Sequence, residues 1–127
     1  MGMGINVFDE TIQKSHLWIK ELMAELHTKD KNYAFVALRS VLHALRDRLP
    51  KEEAMNLAAQ LPLLIQGVYI DGWHFREKPY KWDRAEFLAR VREGFRFRGE
   101  PINPERVVDA VFKLLERHVT SGELEDI

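Results

Sequence analysis

Proline sets the limits of what this chain can fold into. The pairs Leu49-Pro50, Leu61-Pro62 and Asn103-Pro104 interrupt a sequence whose apolar residues otherwise recur every three or four positions. The residue before a proline is pushed out of the α region, and proline itself is tolerated only at the start of a helix. Each pair therefore marks a boundary between helices.

The segments between those boundaries read as amphipathic helices. Ile12, Ile19, Leu22, Met23 and Leu26 share one face of a first helix between Phe8 and Leu26. Asp30 is placed to cap a second, whose inner stripe is Ala34, Ala37, Leu38, Val41, Leu42, Leu45 and Leu49. Pro50 suits the first turn of a third, with Glu52 and Glu53 near its positive end and Ala54, Leu57, Ala58 and Leu61 turned inward. At Pro62 the helix is expected to kink or restart as an apolar segment from Leu63 to Tyr69 that Gly72 closes. Asp83 with Glu86 forms a capping box, with Trp82 and Phe87 spaced as a hydrophobic staple. That helix carries Phe87, Leu88, Val91 and Phe95. After a turn from Arg96 to Pro101, Asn103-Pro104 opens a helix on Val107, Val108, Val111, Leu114, Leu115 and Val119. Thr120 and Glu123 look like one more capping box. Hairpin turns between alternating runs are missing, so the fold class is all-α, a bundle of about six helices.

A chain of 127 residues is one domain's worth, and 46% hydrophobic with 31% charged content belongs to globular proteins. Nineteen basic against twenty acidic residues give no general pull toward nucleic acid or an anionic membrane. The charge is uneven: Arg76 to Arg98 holds eight basic and four acidic residues, Glu100 to Ile127 seven acidic and three basic. The chain contains no cysteine, which excludes disulfides, thiolate nucleophiles and cysteine zinc sites and fits a reducing compartment. The start, MGMGINVFDE, has the features of neither a secretory signal nor a myristoylation site, and no apolar run is long enough to span a bilayer. These observations point to the cytoplasm.

A shift of 70 residues lays Ala37–Leu57 on Val107–Ile127, pairing Val41 with Val111, Leu45 with Leu115 and Leu49 with Val119. A shift of 69 pairs Trp18 with Phe87, Leu22 with Val91 and Leu26 with Phe95. The expected organisation is one helical domain over 1–127: a first repeat at about 9–71, an aromatic connector at 72–82, and a second repeat at about 83–127 whose last helix is incomplete.

The run "LAAQLPLLIQGVYIDGW" from Leu57 to Trp73, the helix "EFLARVREGF" and the ending "SGELEDI" resemble the prokaryotic all-helical family catalogued as domain of unknown function 2267 (DUF2267). The resemblance runs from about Phe8 to Ile127. It implies a duplicated helical bundle and no particular activity. Similar proteins usually continue past Ser-Gly-Glu-Leu-Glu-Asp into a second Leu-Pro helix, so this sequence is either naturally short at Ile127 or a piece of a longer chain.

Chemistry-bearing patterns are few. Neither Glu-x-x-His nor His-Glu-x-x-His occurs, no serine sits in a nucleophile elbow, and no glycine-rich phosphate loop is present. Asp71, His74 and Glu77 form a possible metal triple, more simply read as solvated loop residues. No catalytic residue, metal or cofactor is expected, and a metal-dependent enzyme is the remotest alternative. The candidate contact residues are Tyr69, Asp71, Trp73, His74, Arg76, Lys78 and Tyr80, where aromatic and basic side chains interleave as they do at anion sites and partner anchors. The simpler reading clamps the connector to the core with its aromatics. The leading expectation is a non-enzymatic protein-interaction module. An association surface is expected near Val119, Leu124 and Ile127, the alternative being a small-molecule or anion-binding module on residues 69–82.

Overall fold

The computed structural model describes residues 4–74 and 78–119. Among these residues there are six helices and no strand: α1 (Asn6–Leu26), α2 (Lys31–Arg48), α3 (Lys51–Ala59), α4 (Leu63–Ile70), α5 (Arg84–Glu93) and α6 (Pro104–His118). None of them is long and apolar enough to cross a membrane.

Local chemistry explains the boundaries. Asp30 accepts from the Tyr33 N–H at 3.0 Å to start α2, which stops at Arg48 because Leu49 takes the extended conformation that precedes proline. Pro50 and Pro62 stand one residue outside α3 and α4, as N-caps rather than first-turn residues. The chain thus restarts at Pro62 instead of kinking, and Gly72 takes φ +75° in the turn behind α4. The Asp83–Glu86 capping box closes reciprocally, and Asn103 accepts from the Glu105 and Arg106 N–H groups with Pro104 in the first turn. His27 ends α1 in the left-handed conformation, with Thr28 N–H bonded to Met23 O at 3.0 Å.

The central helix is α2, which packs against all five others. Being surrounded, it is buried on more than one stripe: Leu38, Leu42 and Leu45 are inaccessible or nearly so, and each contributes roughly 2 kcal/mol by leaving water. One contiguous core joins Trp18, Leu22 and Leu26 of α1 to Phe87, Val91, Val111, Leu114 and Leu115. The approach of α2 to the end of α5 is close enough that a Cβ on Gly94 would meet Ser40 Oγ at 2.0 Å. The expected stripes of α1, α2, α3, α5 and α6 hold, except that Ile12, Ile19, Met23, Leu88 and Val108 are half-buried.

One expectation is corrected. Val119 lies inside the fold at 8% exposure, because its N–H closes on Leu115 O and its side chain joins the core, so it offers no association surface. Leu124, Ile127 and the Thr120–Glu123 capping box lie outside the described residues.

Candidate functional site

The last carbonyls of a helix have no partner within it. At the end of α4 they are met from α2. His43 and Arg46 sit three residues apart and face the same way; His43 Nε2 lies 2.7 Å from Val68 O, and Arg46 Nη1 donates to Tyr69 O and Asp71 O, both at 2.8 Å. A carbonyl only accepts, so Nε2 carries the proton. Burial holds the His43 pKa below its ordinary value; the Val68 carbonyl opposes this, and Arg46, Arg39 and Arg90 reinforce it. The ring is therefore a neutral donor, and the cation at this helix end is Arg46, where the dipole favours one.

The same stretch of α2 receives the returning connector. Tyr80 N–H donates to Asp47 O at 3.0 Å, and Arg48 Nε donates to Trp82 O at 2.9 Å. Tyr80 stacks on Trp82 with centroids 4.8 Å apart. Between connector and helix is a cleft of about 420 Å³ bordered by Arg46, Asp47, His74, Tyr80, Trp82 and Arg90. The Asp47 carboxylate lies 3.2 Å from Arg46 Nε and 3.8 Å from Arg90 Nη2.

The residues expected at the site separate accordingly. Tyr69 is fully buried, its hydroxyl donating to Ala54 O at 2.8 Å. Trp73 is half-buried and meets Tyr69 edge-on at 6.3 Å. The Asp71 side chain is exposed, and its backbone carbonyl makes the contact with Arg46. His74 and Tyr80 are exposed and border the cleft together, whereas Lys78 is exposed beyond it. Arg76 and Glu77 lie outside the described residues, and no cluster of metal-ligating side chains occurs among those described.

Sequence reasoning overlooked His43, Arg46, Asp47 and Arg48. A signal existed: Arg46 stands four residues after Leu42 and three before Leu49, on the apolar stripe itself. A cation there must find acceptors indoors.

A second concavity of about 520 Å³ lies between α5 and α6, floored by Phe87, Leu88, Val108 and Phe112 and reached by Arg48. Trp82 borders both spaces.

The family model described as "Uncharacterized conserved protein (DUF2267)" matches residues 15–127. No curated protein matches the chain. The match covers most of the sequence, and the protein belongs to the DUF2267 family.

Proposed function

We propose that this member of the DUF2267 family is a non-enzymatic interaction module that pairs with a second copy of itself through the end face where α1 meets α4. One observation carries the reading. Val7 and Phe8 are 56% and 53% exposed, Leu63 and Leu64 are 54% and 50% exposed, and the Leu64 N–H donates to Thr11 Oγ1 at 2.8 Å, fixing the two helix starts side by side. Four half-exposed large apolar side chains on a rigid frame favour association, and a two-fold contact lets such a face cover itself. The working site is a prokaryotic cytoplasm, in keeping with a chain free of cysteine.

Sedimentation equilibrium over a hundredfold concentration range tests this. Mass rising toward the dimer, and reverting to the monomer in Leu63→Glu/Leu64→Glu, is the expected result; a constant monomer mass refutes it.

A second reading, a small-anion module on the connector, draws on Arg90, which is 28% exposed at the cleft that His74 and Tyr80 border. It requires saturable phosphate binding that Arg90→Gln removes. The internal duplication is part of the same proposal. Support comes from the paired positions Trp18/Phe87, Leu22/Val91, Leu26/Phe95, Val41/Val111, Leu45/Leu115 and Leu49/Val119, every one of them buried.

A further inference from the structure

The groove between α5 and α6 has the volume and lining of a small-molecule site, which typically spans roughly 300–1,000 Å³ with apolar walls and a few polar groups. Its charges resolve unevenly. Arg84 pairs with Glu105 at 3.1 Å, Asp109 with Lys113 at 3.4 Å, and the Asp83 carboxylate is taken up by the Glu86 N–H at the positive end of α5. Arg48 is left. It is half-buried, and its described partner is the neutral carbonyl of Trp82. A guanidinium has five N–H donors, so a half-buried one held by a single neutral acceptor retains capacity for an anion.

We propose that this groove binds an amphipathic monocarboxylate, its apolar body along Leu88, Val108 and Phe112 and its carboxylate on Arg48. A cationic amphiphile would meet Arg48 with like charge, and a purely apolar molecule would leave the guanidinium covered without gaining an ion pair.

Isothermal titration of the full chain with octanoate, 1-octanol and octyltrimethylammonium separates these cases. Octanoate is expected to bind one per chain, about tenfold more tightly than octanol, the scale of one hydrogen bond to a charged group. Arg48→Gln should lower octanoate to the octanol level and leave octanol unchanged. Val108→Trp, which fills the groove, should abolish both. The proposal is overturned by absence of saturable octanoate binding, by octyltrimethylammonium binding as tightly as octanoate, or by octanoate affinity unchanged in either variant. Far-UV circular dichroism checks each fold. Should Arg48→Gln not fold, the order of the three probes on the unaltered chain and Val108→Trp decide the matter.

Discussion

The ends of α4 and α6 each involve one arginine and one histidine, supplied to α4 by its neighbour α2 and to α6 by α6 itself, and the two ends are held very differently. The end of α4 rests on His43 and Arg46, which are 7% and 6% exposed. The end of α6 rests on α1 through Arg117, paired with Glu25 and with Glu21 at 3.5 Å, and through His118, 2.9 Å from Glu21 and stacked on Trp18. Arg117 is 46% exposed. The functional groups are alike and their consequences are not. Water replaces a lost partner at the α6 end, whereas at the α4 end it has less access, and the buried Tyr69 carbonyl there keeps most of its desolvation cost.

The comparison breaks most visibly at Arg46. Arg46→Met roughly keeps the volume and removes the guanidinium donor from Tyr69 O and Asp71 O, so urea denaturation should show a loss of about 3 kcal/mol. Gly94→Ala should cost about 2 kcal/mol by driving a methyl into Ser40, with part of the loss recovered in Ser40→Gly/Gly94→Ala. That result would show that the crossing of α2 with α5 tolerates no more than the α4 clamp does.

His43 sharpens the contrast through pH. Its folded pKa lies below the ordinary 6.5, so the unfolded chain takes up a proton more readily than the folded one. The contribution is complete above 6.5 and drains away as pH falls from there toward the folded pKa. Melting temperature should drop on acidification from pH 7.5 through 5.5, and His43→Gln should flatten that slope. The smallest effect is expected at the exposed end. Arg117→Ala should cost about 0.5 kcal/mol or less, and added salt should erase the difference. A loss at Arg117 equal to that at Arg46 would show that burial does not set the weight of these contacts.

What was legible beforehand follows the same division. Pro50, Pro62, Asp83 and Asn103 announce helix boundaries within a few residues of themselves, and the inward stripes of α2 and α6 repeat locally. These features could be read because their partners are neighbours in sequence. Arg46 and Tyr69 are 23 residues apart, and Arg48 and Trp82 are 34 apart. Nothing local says that a cation on α2 caps α4, or that Gly94 is small because Ser40 presses on it. The aromatic connector drew attention for its composition, yet much of what holds it is polar and belongs to α2. Of the residues expected there, Tyr69 serves the core, while His74 and Tyr80 do border a cleft.

Trp82 has one further implication. The residue borders both the connector cleft and the α5–α6 groove, and its carbonyl is tied to Arg48. A wall common to two chambers answers to the contents of both. If an occupant of the groove turns that ring and so alters affinity on the connector side, linkage requires the reverse effect by an equal factor. A single side chain would then make two small cavities one thermodynamic unit.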